Sequence, residues 1–226
     1  MGIDVLFEGQ NFSRLLEGLW LTAKISFISA FFSLIFGVIV GIAMLSRKRT
    51  LRWICRFYLE LVRTMPLLVL LFIGYFGLAK WFHVQWNNVQ VCIMVFVFWG
   101  AAEMGDLVRG AFSSIEKHQI ESAYALGLRR AQVIRYIALP QSIRRITPGA
   151  INLFTRMIKT SSLAMLIGVL EVIKVGQQVI ETALLSSHNT ALWIYGVIMV
   201  LYFIICYPLT QLSYFLEKRF AHEDGL

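Results

Sequence analysis

The chain has 226 residues, of which 58% are hydrophobic and only 15% charged, and it carries a net charge of +8. A soluble domain carries about a quarter charged residues, so the composition excludes a soluble enzyme and reads as a polytopic membrane protein. The basic excess does not mark a nucleic-acid binder, because the 21 Lys and Arg cluster in short loops beside apolar blocks.

The first residues, MGIDVLFEGQNFSRLLEGLW, lack the basic start and short apolar core of a signal peptide. Asp4, Glu8 and Glu17 outnumber Arg14 there, which suits a short non-cytoplasmic leader. The first span is Ile25–Leu45, 21 residues without a charge, long enough to cross the hydrocarbon core as a helix. Within it Ser29, Ser33, Gly37 and Gly41 recur every four residues. That spacing is a small-residue stripe where a second helix can approach closely, or simply the compositional bias of membrane helices.

A basic loop follows, with Arg47, Lys48, Arg49, Arg52 and Arg56. The second span is expected over about Phe57–Leu78. Glu60 and Arg63, three residues apart, can pair on one helix face. Pro66 should kink the helix or start its apolar part, since it has no backbone donor. A polar connection, Lys80–Asn88, leads to the third span at about Val89–Val108, which carries Glu103 and Asp106 and closes with Arg109.

A long basic segment from Ser113 to Arg145 comes next. The fourth span is expected after Pro148, interrupted by Arg156 and Lys159 before LAMLIGVLEVI, and the fifth over Ala191–Leu212. With the N-terminus outside, the segments 46–56, 109–145 and the tail from 213 hold fourteen Lys or Arg, and the external segments 1–18, 79–88 and 171–190 hold three. The positive-inside rule therefore sets that orientation, with the C-terminus in the cytoplasm.

Cys55, Cys92 and Cys206 lie far apart in or beside apolar segments, so buried thiols are expected and no metal-ligand spacing exists. His83, His118, His188 and His222 are scattered over loops and ends. Gly105 and Gly110 have the separation of a phosphate-binding loop, but Ala111-Phe112 follows where Lys-Ser/Thr is needed. ATP hydrolysis in this chain is not expected.

Within the basic segment, Glu116–Gly127 reads as a short helix ending at a glycine, a residue suited to a helix C-terminus. Ile120, Ala123, Ala125 and Leu126 supply small and apolar surface, and Glu121 projects. Taken alone, such a helix could lie on lipid headgroups. In full, Glu121–Pro140 reads ESAYALGLRRAQVIRYIALP. It resembles the EAA loop of ABC-importer permeases (Glu-Ala-Ala, three residues, Gly, nine residues, Ile-x-Leu-Pro), with Ser122 in place of the middle Ala and every spacing kept.

Further segments resemble the polar amino-acid permeases of that group. Arg63-Thr-Met-Pro-Leu is similar to their Arg-Gly-Thr-Pro-Leu, and Asp106-Leu-Val-Arg109-Gly110 to their Glu-x-x-Arg-Gly. Gln119 matches the Gln before Glu-Ala-Ala, Lys159-Thr-Ser161-Ser162-Leu is similar to Lys-Asp-Thr-Ser-Leu, and Ile167, Val169 and Glu171 fit Ile-x-Val-x-Glu. The likeness covers about Gly18 to Glu171. Glu103 stands where an aromatic is usual, His118 where Gly is usual and Thr160 where an acid or Asn is usual.

The resemblance implies an all-α integral membrane subunit of about five transmembrane helices, residues 1–226 forming one permease domain with a cytoplasmic coupling loop at 116–140. It implies a multi-pass protein of the bacterial plasma (inner) membrane. Its partners would be separate ABC ATPase subunits that bind ATP and Mg, an extracytoplasmic amino-acid-binding protein, and a second permease copy or paralogue. Glu121, Ala123, Gly127, Leu139 and Pro140 would couple to the ATPase.

A carboxylate at the bilayer centre costs about 2.5–3.5 kcal/mol on insertion scales, so Glu103 and Asp106 are expected to face protein or water. Either they meet the ammonium group of cargo, Glu103 favouring cargo with a second cationic group, or they pair with Arg63, Arg109, Arg156 or Lys159. Lys159, Ser161 and Ser162 could contact cargo or join helices. A secondary transporter or channel for small charged solutes would account for the acids but not for the Glu121–Pro140 spacing, and a membrane scaffold would account for the helices but makes the acids costly and pointless.

Overall fold

The computed structural model describes residues 4–81, 86–183 and 190–223. The connection expected at 80–88 lies in part outside the described residues, as do His83 and His188. The described chain is helical, in keeping with the expected all-α class.

Helix α1, Asn11–Met44, has 34 residues and at 1.5 Å per residue is about 50 Å long, more than the hydrocarbon core needs. Its buried residues are mostly small: Gly18, Thr22, Ser26, Ser29, Ser33, Gly37 and Gly41. Its large apolar residues, Phe27, Phe31, Ile35, Ile39 and Ile42, are exposed. This inverts the pattern of a soluble helix. Lipid tails are as apolar as leucine, so helices associate through close contact of small residues rather than by hiding large ones.

The stripe is filled by α4, Asn88–Ser113, running parallel to α1: Gly37 lies against Met104, and Gly41 against Val108. Ser33 Oγ donates to the Val97 carbonyl at 3.5 Å. α4 begins with a capping box between Asn87 and Gln90, which satisfies two helix donors at once.

The second expected span is two helices. α2, Arg49–Thr64, and α3, Leu67–Trp81, meet at 105°. Met65 is extended with ψ 134°, as the ring of a following proline demands. Pro66 therefore breaks the helix and starts its apolar part, α3, rather than kinking a single span. Arg63 also turns away from Glu60, towards α4. Val62 at the end of α2 and Leu71 in α3 both pack into one core with Phe96 and Ala102 of α4.

Past α4 come the short helices α5, Lys117–Ala125, and α6, Arg130–Val133. A single π turn at Ile134–Ala138 leads directly into α7, Leu139–Thr160. The helix that carries the fourth span thus starts at Leu139, and Pro148 lies buried inside it. α7 runs antiparallel to α4, with Leu107 against Gly149 and Met157 against Gly100.

The apolar run LAMLIGVLEVI is not one helix. A 3-10 stretch, Ser161–Ile167, ends at Gly168 with φ +81°, and α8, Val172–Ala183, starts at an angle of 51° to what precedes it. Only a residue tolerant of positive φ fits at that stop. The fully buried Glu171 caps α8, its carboxylate accepting from the Ile173 N–H at 3.0 Å and the Lys174 N–H at 2.8 Å. Val172 N–H reaches Thr22 Oγ1 of α1 at 3.4 Å. Inside a bilayer no water can replace these partners. Glu171→Ala is expected to lower thermal stability by about 1–2 kcal/mol, with Glu171→Gln closer to wild type, as melting of the purified protein would register. Equal melting of the Ala variant and wild type refutes the cap.

α9, Thr190–Glu223, closes the fold antiparallel to α7 and α8, Ser213 Oγ donating to the Pro148 carbonyl at 2.9 Å. α1, α4 and α9 are each long and apolar enough to cross a membrane, and the two bent pairs bring the total to five if each counts once. Cys55, Cys92 and Cys206 are free and buried.

Candidate functional site

Two constellations stand out, one on the loop between α4 and α7 and one inside the bundle. On the loop, α5 ends in a glycine stop: the Gly127 N–H bonds the Tyr124 carbonyl at 2.9 Å and the Leu128 N–H bonds the Ala123 carbonyl at 3.1 Å. This is the Schellman arrangement, and it needs the left-handed backbone that Gly127 adopts at φ +80°. Apart from its chain neighbours, no described residue lies within 4 Å of where a Gly127 Cβ would sit. The backbone angle, not crowding, fixes glycine here.

The exposed face of α5 differs from the expected one. Ala123 is 3% exposed and seats the helix on its own protein, whereas Leu126 is 82% exposed beside an exposed Glu121, Ser122, Tyr124 and Ala125. Ile120 is half-buried. Two polar clamps tie the loop to the bundle. Gln141 Nε2 of α7 donates to Gln119 Oε1 at 2.8 Å, and Arg145 Nη1 donates to Ser114 Oγ at 2.6 Å and to the Ser114 carbonyl at 2.9 Å. Leu139 and Pro140 are exposed at the start of α7. Pro140 has no N–H to give, and just before it the Leu139 N–H reaches back to the Ile134 carbonyl in the wider π spacing. Nothing in the Ile-x-Leu-Pro signature announces that turn.

Inside the bundle, three helices bring charged groups together. Glu103 and Asp106, three residues apart on α4, face the same way. Arg63 at the end of α2 donates through Nη2 to Asp106 Oδ2 at 2.5 Å and lies 3.6 Å from Glu103 Oε1. Arg156 of α7 reaches Glu103 Oε2 at 2.7 Å, and Arg109 holds Asp106 Oδ1 at 2.5 Å and 3.0 Å. The Arg156 guanidinium also lies 5.7 Å from the Trp99 ring centre, a cation–π distance. Tyr58 of α2 donates its hydroxyl to the Phe98 carbonyl, holding α2 against α4 beside the cluster.

The acids are thus paired internally, and Glu103 already has two guanidinium neighbours. Arg63 belongs to this group, as do Arg109 and Arg156. Lys159, Ser161 and Ser162 stand apart. Ser161 Oγ donates to the Ile158 carbonyl at 2.7 Å and Ser162 Oγ to the Lys159 carbonyl at 2.9 Å, both within their own turn. Lys159 makes no ion pair among the described residues. Trp99 and Tyr58 escaped the sequence reading, although Trp99 sits four residues before Glu103, one helical turn away on the same face.

Residues 33–222 match the family described as binding-protein-dependent transport system inner membrane component. The chain is 33% identical over 214 residues to a probable amino-acid ABC transporter permease protein of Bacillus subtilis (strain 168), covering 94% of this chain and 92% of that one. To an L-cystine transport system permease protein of the same organism it is 30% identical, over 93% of this chain and 88% of that protein. In fold it matches a crystal structure of an amino acid ABC transporter with a TM-score of 0.84, at 23% identity, covering 92% of this chain and 94% of the other.

Proposed function

The chain belongs to the binding-protein-dependent transport system inner membrane components, and from that premise we propose that it carries polar amino acids inward by alternating access. It is a multi-pass permease subunit of an ABC importer, a membrane component and not itself the hydrolase. Such a component works with an ATPase subunit and a substrate-binding protein. Beyond that, the proposal has two ATPases, each binding ATP and Mg, docked on the α5 helices of a permease pair. The pair is two copies of this chain or one copy and a paralogue, and an extracytoplasmic protein delivers the cargo.

One observation carries the docking reading. Between two membrane helices the chain builds a rigid, clamped helix whose outward face holds an apolar Leu126 and an acidic Glu121. Leu126 shares that exposed surface with Glu121, Ser122 and Tyr124, a mixed polar and apolar face suited to a protein partner rather than the continuous apolar face that lying on lipid requires. The direction of the helices supports the orientation with the N-terminus outside. α1, α4 and α9 run the same way, so the basic segments after each lie on one side, the cytoplasmic side by the positive-inside rule.

The test is ATP hydrolysis by the full complex in proteoliposomes, with its binding protein and each amino acid in turn. Stimulation of several-fold by one polar amino acid is expected. A flat response to all of them, or uptake driven by an ion gradient without the ATPase, overturns the reading in favour of a secondary transporter or channel.

A further inference from the structure

We propose that the guanidiniums of Arg63, Arg156 and Arg109 form a site on the transport path that receives the carboxylate of the amino-acid cargo. The proposal rests on the amino-acid importer reading above. The sequence leaves Glu103 open between a cationic cargo group and an internal basic partner, and the geometry sets it against Arg63 and Arg156.

Charge is the first argument. Three guanidiniums meet two carboxylates, leaving one positive charge over. Accessibility is the second. The Glu103 and Asp106 side chains are 16% and 17% exposed, whereas Arg63, Arg109 and Arg156 are 43%, 38% and 51% exposed. A molecule entering the cluster therefore meets the cations first.

Donor accounting is the third argument. Each of the four carboxylate oxygens has a guanidinium neighbour: Glu103 Oε1 has Arg63, Glu103 Oε2 has Arg156, Asp106 Oδ2 has Arg63 and Asp106 Oδ1 has Arg109. A guanidinium carries five N–H donors. Arg156 uses only Nη2 towards Glu103, leaving Nε and Nη1 without a hydrogen bond among the described residues. An ammonium group would have to displace an arginine to reach either acid. A carboxylate needs to displace nothing and finds the forked donors that suit its two oxygens.

The half-buried acids then have a definite task. They hold the three arginines in place and reduce their field, so that an anion is received without being trapped. The Trp99 ring, 5.7 Å from the Arg156 guanidinium, helps to hold it there. A phospholipid phosphate offers similar chemistry, and the test separates the two.

The experiment measures equilibrium binding to the solubilised complex of permease and ATPase, without binding protein. The probes are the amino acid giving the greatest stimulation in the panel above and its α-carboxamide. Wild type is expected to prefer the acid by about tenfold or more, and Arg156→Gln and Arg63→Gln to reduce that preference to within about twofold. Arg156→Lys should fall between, keeping the charge but losing the fork. Co-purification of the ATPase checks that each variant assembles.

Wild-type preference retained in both Gln variants overturns the site while leaving the importer reading intact. Absence of any preference in wild type, expected if a lipid phosphate occupies the arginines, overturns it as well. No response to any amino acid in the panel overturns the importer reading first and this site with it.

Discussion

Glu121→Arg or Leu126→Asp is expected to leave the subunit in the membrane but to reduce amino-acid uptake to background. ATP hydrolysis should cease to respond to the binding protein in both. The reason lies in where α5 puts these side chains. Leu126 is 82% exposed, and sealing such a leucine in a partner pocket contributes about 1.5–3 kcal/mol. An aspartate in that pocket loses the gain and must also be desolvated without a partner. Reversing the charge of Glu121 converts attraction to a basic partner group into repulsion, where removal of a buried charged partner already costs about 2–5 kcal/mol. Since every 1.4 kcal/mol is about tenfold in affinity, each change weakens docking by about a hundredfold. Uptake by proteoliposomes and recovery of the ATPase with the purified subunit measure the two halves of the effect. Neither residue supports the bundle, so the melting temperature should stay near wild type. Normal uptake by both variants refutes the docking face.

Gly37→Leu should do the opposite, removing the subunit from the membrane altogether. A Cβ at Gly37 would lie 2.4 Å from the Met104 Cβ and 3.2 Å from the Gly105 nitrogen. One at Gly105 would in turn lie 2.9 Å from Val40 Cγ1. The two helices interlock through this pair of glycines, and neither backbone can retreat, because α4 is held on its other side by α7. Overpacking in a core that can adjust costs about 1–3 kcal/mol. A leucine here forces apart the two longest-packed helices of the fold, so most of a typical stability of about 5–15 kcal/mol is at stake. Gly110→Ala is the control, since nothing lies within 4 Å of its Cβ position. Membrane abundance by immunoblot is the readout. Gly37→Leu protein at wild-type level disproves the interlock.

Much of the frame was legible because lipid acts on composition. α1 and α9 contain long uninterrupted apolar stretches and α4 one that ends at Glu103, and the four-residue repeat of Ser29, Ser33, Gly37 and Gly41 marks the seam that α4 fills. Broken helices were harder to read. Pro66 marks the break at Met65, while the 105° angle at which α3 leaves is held by Val62 and Leu71 packing on α4, residues nine apart whose meeting no local pattern encodes. In LAMLIGVLEVI every residue but one is uncharged, and hydropathy does not register whether backbone groups find partners. The usable signal was Gly168 followed by Glu171, a stop and then a cap.

The charged cluster was half legible. The spacing of Glu103 and Asp106 put them on one face, but four basic residues were equally eligible as partners. Only the way α2 and α7 lie across α4 chooses Arg63 and Arg156 over Lys159. On the loop, the motif marks Ala123 and Gly127 as important without saying in which direction they face. The structure turns Ala123 inwards, and Gly127 acts through its backbone.

α7 begins at the loop clamped by Gln141 and Arg145 and reaches Arg156 seventeen residues later, which at 1.5 Å per residue is a stiff arm of about 25 Å. Ser213 of α9 grips it near the Pro148 carbonyl, between the two ends. Pivoted at that grip, with Arg156 about 12 Å beyond it, a tilt of about 10° displaces the far end by about 2 Å, enough to part Arg156 from Glu103, which stand 2.7 Å apart. Torque applied at the loop is therefore delivered where the guanidiniums stand, and one rod serves as both handle and latch.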